Sequence, residues 1–492
     1  MLKQKINFAI AVFAAFFLLP VFISCNGGGG GGTGNDSTKV ITKAPGTYIR
    51  HNCATPEGQA DMEALAKALA IMKKYPCDTT YSWYYQAGIH SVPNVVANGN
   101  PLCPSYVQMA QMKEAWMNCT HDPQGFSEQH FLIWHRLYIW YFEQIVRKLS
   151  GKADFALPYW DYTDTAHRVM PAIFRDKNDS LYESARLPSL NSGDPIARFM
   201  NNNLNMRTKN QNKLYFTFDP DIDAAPHGAM HNYIGGGYAN DSTMWNRIYQ
   251  GPNYGLMAQV ESAAFDPIFW VHHANIDYLW AKWDSGMASK RPNIDTLLTY
   301  PWAYKFFNAD GKKEEYTIPQ ALDKAFNLDY KYDVLPVKAL TLTTEKKVPE
   351  RRQEILSVDL QAPVKTDKQL INIPVAPTAN ENISLLQKTD MSRKASIIKV
   401  TVGFAKQPKG DYDLYIDTEN AKDEKLVGTL TFFGAMHMQE PAAEYHKTFL
   451  FDISDELDIK QIKGQLKLLV VRRGGGPNEI SIRHVTVETR DF

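Results

Sequence analysis

The sequence has no excess of charge of either sign, because its 492 residues carry 53 Lys plus Arg against 53 Asp plus Glu. It also has no block of five or six like charges. A protein that binds duplex nucleic acid needs a concentrated basic face, so we expect no nucleic-acid partner. Apolar residues (44%) and charged residues (22%) are close to globular averages, which excludes a disordered chain.

Long apolar runs are nearly absent. The one example, residues 8–23, is short for a membrane helix, which needs about 20 residues, and follows two lysines as in a signal peptide. Residues 22–25 resemble a bacterial lipobox, so we expect residues 1–25 to be a lipoprotein signal and Cys25 to anchor an exported protein to a membrane. The alternative is a plain cleaved signal in which Cys25 is incidental. The Gly-rich residues 26–45 predict a flexible tether.

Cysteine is scarce, with five residues that all lie within the first 119. The chain also lacks a Cys₂His₂ or His-Glu-x-x-His pattern, so the common zinc sites are not expected. In an exported protein, Cys53, Cys77 and Cys103 are available for disulfides, and the sequence leaves their pairing open.

The sequence pattern, and with it the predicted secondary structure, changes along the chain. Residues 46–334 read as helices separated by loops rich in Pro, Gly and Asn, and the run at 131–149 predicts a buried helix. Residues 335–390 hold several prolines and read as a connection. Residues 391–492 show the period-2 alternation of strands. We therefore predict a mainly α domain, 46–334, followed by an all-β sandwich.

Histidine is concentrated, since nine of the thirteen lie between His90 and His273. His227 and His231 are one helical turn apart and share a face. Residues 266–277 predict a buried helix with two more histidines. Imidazoles carried by buried helices suit copper, and a four-helix bundle is a natural frame for two metal ions.

These segments resemble the type-3 copper family, which comprises tyrosinases, catechol oxidases and haemocyanins. The family's second-copper signature, Asp-Pro-x-Phe-Trp-x-x-His-x-x-x-Asp, is matched in full by residues 266–277. The resemblance gives the ligand role to His273 and not to its neighbour His272. His227 and His231 match the family's His-x-x-x-His pair for the same copper.

For the first copper, the resemblance places the opening ligand at His90 and the third, in Phe-Leu-x-Trp-His-Arg, at His135. The family usually has the second ligand nine residues before the third, and that position is Phe126 here. Two candidates remain, His121 and His130.

The segment Cys119-Thr-His121 favours His121 as that ligand. Fungal members have the same Cys-x-His, in which the sulfur is bonded to a carbon of the ligand imidazole. The resemblance therefore implies a thioether between Cys119 and His121, which would fix the ring. His130 is the alternative ligand, or else a pocket or core residue.

Four further residues are candidates for the substrate pocket or the surroundings of the ligands. Asp223 stands where plant enzymes carry an acidic residue near the substrate, although an ordinary loop carboxylate is an equal explanation. Gly228 follows the first ligand of the second copper. His272 is expected to shape the mouth of the copper site, where the substrate enters. Asp277 is expected to accept a hydrogen bond beside a ligand or to form an internal ion pair. Residues 157–161 and 330–332 also match family segments.

The resemblance implies a dinuclear centre of two copper ions that uses O₂ to oxidise o-diphenols to o-quinones. Members that hydroxylate monophenols well commonly carry Asn where this chain has Gly228, which has no side chain to hold a water. Diphenol oxidation is therefore favoured over monophenol hydroxylation. The alternatives are an o-aminophenol oxidase, a haemocyanin-like carrier that binds oxygen without turnover, and a structural lipoprotein with a degenerate site.

Plant and fungal relatives carry a C-terminal domain over the copper mouth that keeps the enzyme latent. Here the segment 431–438 is apolar, and Phe432 and Phe433 are candidates to fill that mouth. The alternative is that both belong to the core of the sandwich. If the domain is a lid, a cut within 335–387 is expected to raise the oxidase activity.

Overall fold

The structure, a computed structural model, describes most of the chain after the predicted tether. The described residues are 40–41, 48–92, 103, 119, 129–238, 244–248, 251–252, 254–284, 287–292, 297, 304–336, 340–341, 351–375, 377–386, 390–417, 424–436, 442–462 and 464–492. The predicted signal segment, the tether except for residues 40–41, and His121 lie outside this set. Residues 39–492 form one compact unit.

The first half of this unit is helical. Its helices are α1 (Pro56–Met72), α2 (Trp83–His90), α3 (Phe131–Ser150), α4 (Pro188–Ser192), α5 (Met206–Gln211), α6 (Tyr215–Ile222), α7 (Ala229–Ile234), α8 (Val260–Ala263), α9 (Ile268–Trp283), α10 (Ile318–Phe326) and, between two later strands, α11 (Pro377–Leu386). None of the helices in the described ranges is both long and apolar enough to cross a membrane.

The strands fall into short pairs in the helical half and long strands after it. They are β1 (Val40–Ile41), β2 (Tyr48–Arg50), β3 (Trp245–Asn246), β4 (Gly251–Pro252), β5 (Tyr304–Phe307), β6 (Lys313–Tyr316), β7 (Tyr330–Tyr332), β8 (Leu340–Thr341), β9 (Arg352–Pro363), β10 (Lys368–Pro374), β11 (Lys394–Phe404), β12 (Asp411–Asp417), β13 (Lys425–Leu430), β14 (Tyr445–Asp452), β15 (Gln465–Arg473) and β16 (Ser481–Asp491).

Local sequence fixes the ends of the long helices. Thr55 caps α1 because its hydroxyl accepts the amide of Gly58 at 3.0 Å, and Pro56 suits the first turn. α3 ends at Gly151, whose φ of 76° favours glycine. α3 is buried on nearly every side and packs against α1 and α9, which confirms the buried helix predicted from its unbroken apolar pattern.

The long strands form two four-stranded antiparallel sheets, in the orders β10-β15-β12-β13 and β14-β11-β16-β9. Their facing side chains form a single apolar core. The predicted architecture, a helical domain followed by a β-sandwich, is confirmed.

The predicted start of the sandwich at residue 391 is wrong, because β9 and β10 belong to its sheets. β9 pairs with β16 and β10 pairs with β15, and each is an edge strand of its sheet. Proline is tolerated at edges and strand ends, so Pro363 and Pro374 terminate strands there. The Pro-rich segment 335–390 therefore holds the strands β8, β9 and β10 as well as α11, and the sandwich begins at β9.

Polar and apolar contacts join the two halves within the unit. Asn203 donates to Asp411 on β12 at 2.7 Å, and the amide of Lys213 donates to Asp452 on β14 at 2.7 Å. Leu214 packs with Ala395 and Ile397 of β11 in a small cluster of its own. The loop that follows β13, residues 431–436, also reaches the helical half and is called the plug loop below.

Two cysteines form a disulfide, Cys77 with Cys103, which answers the pairing that the sequence left open. Cys53 is a buried free thiol, and burial raises the pKa of that thiol far above its ordinary value. It is inert by this criterion, because thiolate is the reactive form.

Candidate metal centre

Five of the predicted ligands converge from four helical segments. His90 ends α2, His135 lies in the first half of α3, and His273 lies near the middle of α9. His231 is on α7, and His227 is in the wider turn of residues 223–228 that leads into it. All five side chains are at most 3% exposed.

The described donors form two adjacent groups. In each group, one ligand atom per residue lies within 4.8 Å of the others. The first group is His90, Cys119 and His135, and the second is His227, His231, His272 and His273. The groups are contiguous, because the rings of His135 and His273 stack with their centroids 4.3 Å apart.

Backbone carbonyls orient four of the rings by accepting from Nδ1. The acceptors are Phe131 O for His135 at 2.8 Å, Met257 O for His231 at 2.9 Å, Val260 O for His90 at 3.1 Å and Asp223 O for His227 at 3.1 Å. A carbonyl only accepts, so each of these Nδ1 atoms carries the proton and Nε2 carries the lone pair that a metal binds.

His273 differs because neither of its ring nitrogens has a hydrogen-bond partner in the described part of the chain. A buried polar group left in this state costs about 1–3 kcal/mol, which a metal ion would offset. Burial lowers the pKa of His273 well below its ordinary value, and the neighbouring His135 and His227 lower it further. The ring is therefore neutral, the form that binds metal. The donor set fits copper.

His272 belongs to the second group by distance, and its expected role at the opening of the site remains a prediction. Its Nδ1 is 2.9 Å from the hydroxyl of Tyr162, and its ring is stacked near that of His227, with the centroids 5.3 Å apart. Burial lowers the pKa of His272 strongly. Tyr162 was not predicted from the sequence, although it directly follows the recognised segment 157–161.

The two candidates for the remaining ligand have different outcomes. His121 lies outside the described residues. His130 is described and does not belong to either donor group. Its Nδ1 is 2.5 Å from the hydroxyl of Tyr304, and burial lowers its pKa to about 4. This placement supports the core alternative for His130.

Cys119 lies inside the first donor group. Its Sγ is 3.5 Å from Nε2 of His135, and its amide donates to the carbonyl of His90 at 3.1 Å. The segment that would carry His121 therefore starts at the first metal position. The thioether itself involves a residue outside the described set and remains a prediction.

Several fixed residues of the signature at 266–277 have a physical reason in the structure. Asp266 accepts the amide of Ile268 at 3.0 Å and pairs with the buried Arg186 at 2.6 Å, so it starts α9 and holds it in place. The ring of Phe269 lies between those of His90 (4.9 Å) and His273 (4.2 Å), counted between centroids.

Asp277 ends the signature and does not touch the metal-facing side. It pairs with Arg50 at 3.0 Å and with Arg136 at 2.5 Å, and it accepts hydrogen bonds from Tyr330 and Tyr332. The assignment of Asp277 to the substrate pocket or to the surroundings of a ligand is wrong, and the ion-pair alternative is correct. Its partner Arg136 follows His135, so this network locks α3 to α9. Neither arginine was predicted from the sequence as a partner of Asp277.

Asp223 and Gly228 both lie at the second donor group. The carboxylate of Asp223 is 2.9 Å from Nδ1 of His227, so it orients that ring together with the backbone carbonyl. Gly228 faces the plug loop, where Phe433 and Thr431 approach it.

Comparison with known proteins agrees with this geometry. The family model for the common central domain of tyrosinase matches residues 80–186 and 173–285. A tyrosinase of Hahella sp. (strain CCB-MM4) is 25% identical over 424 residues, which cover 80% of this chain and 87% of that protein. A chloroplastic polyphenol oxidase of Malus domestica is 26% identical and is matched over 65% of this chain and 54% of its own length.

Solved structures show the same fold. A latent aurone synthase superposes with a TM-score of 0.62 at 16% identity, over 92% of both chains. A latent apple tyrosinase gives 0.58 at 18% identity, over 92% of this chain and 98% of its own. The fold, the histidines and the family match together define a type-3 copper protein. Residues 80–285 match the central domain of the tyrosinase family, and the chain is a copper-dependent oxidoreductase similar to tyrosinases and polyphenol oxidases, with a dinuclear copper centre.

Proposed function

We propose that the protein oxidises o-diphenols to o-quinones with O₂, so that two diphenols give two quinones and two waters per O₂. The observation that carries the proposal is the pair of adjacent, buried imidazole groups. The proposed ligands are His90, His121 and His135 for one copper and His227, His231 and His273 for the other. Copper, when bound, supplies the exchange of two electrons between the diphenol and O₂.

The chain's own residues position and desolvate the reactants. The carbonyls and Asp223 hold the imidazoles in one orientation, which prepares the site before substrate arrives. The ring of His272 and the aromatic side chains around the ligands offer apolar faces on which a phenol ring can stack. We assign His272 to this wall and not to the ligands, because the family signature at residues 266–277 gives the ligand role to His273, whose two ring nitrogens have no hydrogen-bond partner among the described residues.

Gly228 supports diphenols over monophenols as substrates. A monophenol must lose its proton near the metal, and a residue that holds a water there would help. Gly228 offers no side chain for this, and Asp223 is engaged with His227. We therefore expect weak hydroxylation of L-tyrosine beside stronger oxidation of catechol.

The test is an assay of copper-loaded protein with catechol, L-tyrosine and an o-aminophenol in parallel, with O₂ uptake recorded. Fast uptake with catechol supports the proposal, and preference for the aminophenol would replace it with an o-aminophenol oxidase. Reversible oxygen binding without turnover would identify a haemocyanin-like carrier. The metal-free protein is the control.

We also propose that the sandwich keeps the enzyme latent. The ring of Phe433 in the plug loop stacks on His231 and lies edge-on to His227, so it occupies the face that a phenol would use. The hydroxyl of Thr431 donates to the carbonyl of Ala224 at 2.6 Å in a buried contact. These contacts support a role for the loop as an internal competitor of substrate.

Export and membrane anchoring complete the proposal. A lipidated Cys25 would tether the oxidase to a membrane outside the cytoplasm, and the Cys77–Cys103 disulfide suits such an oxidising compartment. Partition of the expressed full chain into a detergent phase, and its loss in Cys25→Ala, would support lipidation. An unchanged partition in the variant would refute it.

A further inference from the structure

The absence of a side chain at Gly228 has a structural consequence for the plug loop. A Cβ atom placed there would lie 3.1 Å from Cβ of Phe433, 3.3 Å from Oγ1 of Thr431 and 3.1 Å from the carbonyl oxygen of Asp223. Ordinary contacts of a Cβ atom begin at 3.4 Å. With the loop in this position, an alanine at residue 228 would require its neighbours to shift by a few tenths of an ångström, and a longer side chain would require a larger shift.

Each of the three crowded neighbours is already held. The carbonyl of Asp223 accepts from His227 at 3.1 Å, and the hydroxyl of Thr431 donates to Ala224 at 2.6 Å. Phe433 stacks on His231. A side chain at residue 228 must displace either the turn that carries His227 or the plug loop.

The plug loop is the element with room to move. Gly434 and Met436 of the loop border a cavity of about 300 Å³, which is also lined by Asn232 and Gln407, among others. The turn at 223–228 has no comparable freedom to move. It is continuous with α6 and α7, and the side chains of His227 and His231 are buried. A side chain at 228 would therefore push the loop outward.

We propose that residue 228 sets how firmly the plug loop closes the site, so that Gly228 couples latency to substrate range. An enzyme with a larger residue here would gain a group beside the substrate and would lose the seated Phe433. The inference rests on the proposed oxidase function and on the proposed role of the loop as its lid.

The test compares Gly228→Ala and Gly228→Asn with the wild type, all as copper-loaded full chains. Hydrogen exchange of the peptide that covers residues 431–436 should be roughly threefold faster or more in both variants, because the seated state is less populated. The ratio of catechol oxidation with mild detergent to that without should fall towards one. Gly237→Ala is the matched control, since the three atoms nearest to a Cβ there all belong to Asn232 and none to the plug loop.

A double variant separates this effect from direct changes in the pocket. If Gly228 acts through Phe433, then Gly228→Ala adds nothing to the detergent ratio once Phe433→Ala is present. Unchanged exchange at 431–436 together with an unchanged ratio in Gly228→Ala would overturn the inference and leave catechol oxidation intact. Absence of any phenol oxidation in the wild type would instead refute the proposed function, while the exchange comparison would still decide how the loop is seated.

Discussion

The ring of Phe433 stacks on the ring of His231, with centroids 4.2 Å apart and planes within 13°. Its neighbour Phe432 points the other way, into the sandwich core, where it contacts Phe404 and Phe449. The two explanations that the sequence allowed for this aromatic pair are therefore both correct, one for each residue. A β-domain side chain thus lies against a proposed copper ligand.

Replacing Phe433 with alanine is expected to raise the oxidase activity of the intact enzyme several-fold, because the ring no longer competes with substrate for the face of His231. The copper content should not change, since no ligand is altered. The measurement is the initial rate with catechol, together with metal analysis. An unchanged rate would show that the loop is no lid.

Phe432→Ala is the matched comparison, one residue away. It removes a fully buried ring from the sandwich core, so we expect a loss of about 3–5 kcal/mol in the free energy of unfolding. Denaturant unfolding measures it. The Phe433→Ala variant should lose much less, since its ring lies outside that core.

The neighbours His272 and His273 should differ in metal binding. His273→Ala is expected to abolish oxidation and to remove roughly half of the bound copper, because its nitrogens have no other partner. His272→Ala should keep both coppers, since the family signature at residues 266–277 gives the ligand role to its neighbour His273. Elemental analysis of the two variants decides, and equal copper loss would contradict the assignment of His273 as the ligand.

Mass spectrometry of a peptide tests the proposed thioether. A peptide that contains Cys119 and His121 should be lighter by two hydrogens, and Cys119 should resist alkylation after denaturation of the copper-loaded protein. Cys53 is an internal control, because it is a buried free thiol that denaturation exposes. Alkylation of both cysteines would remove the argument for His121 as a ligand.

Much of the site could be predicted because its signals are local. His227 and His231 are four residues apart in one helical segment, and the signature around His273 lies within one helix. The partners of these groups could not be predicted. The carbonyls of Met257 and Val260 carry no side-chain signal at all, and the bond from Tyr162 to His272 joins residues 110 positions apart.

The start of the sandwich was misplaced for a related reason. Prolines at 363 and 374 read as a linker in the sequence, yet each ends an edge strand, where a missing amide is not costly. The facing directions of Phe432 and Phe433 were also undecidable, because they lie in a loop where strand alternation does not apply. Only the contact with the helical half shows that Phe433 faces His231 and that Phe432 faces the sandwich core.

The contact between the halves at Asp411 should make stability depend on pH. Burial is the main cause that raises the pKa of Asp411 to about 7, and the nearby Asp413 raises it while Tyr238, Asn203 and Lys447 oppose the shift. The unfolded value is about 3.9, so folding takes up a proton between these values. The contribution of Asp411 to the free energy of unfolding therefore falls as the pH rises from about 4 to about 7.

Asp411→Asn removes this titration. The difference in unfolding free energy between the variant and the wild type should shift in favour of the variant across that pH range and level off above it. Denaturant unfolding at several pH values measures the difference, in which all other titrating groups cancel. A difference that is independent of pH would show that Asp411 does not titrate in this way.

A cut in the connection before β9 should not by itself activate the enzyme. The sequence favoured activation by such a cut, but the halves are also joined by Asn202 with Asp413 at 2.8 Å, and by the Asn203–Asp411 and Lys213–Asp452 contacts. A cut between residues 342 and 350 leaves these contacts and β9 in place, so the plug loop stays seated. We expect the clipped protein to elute as one particle with the low rate of the intact enzyme. Mild detergent should then release the sandwich and raise the rate several-fold, whereas full activation by the cut alone would show that the contacts are too weak to hold the lid.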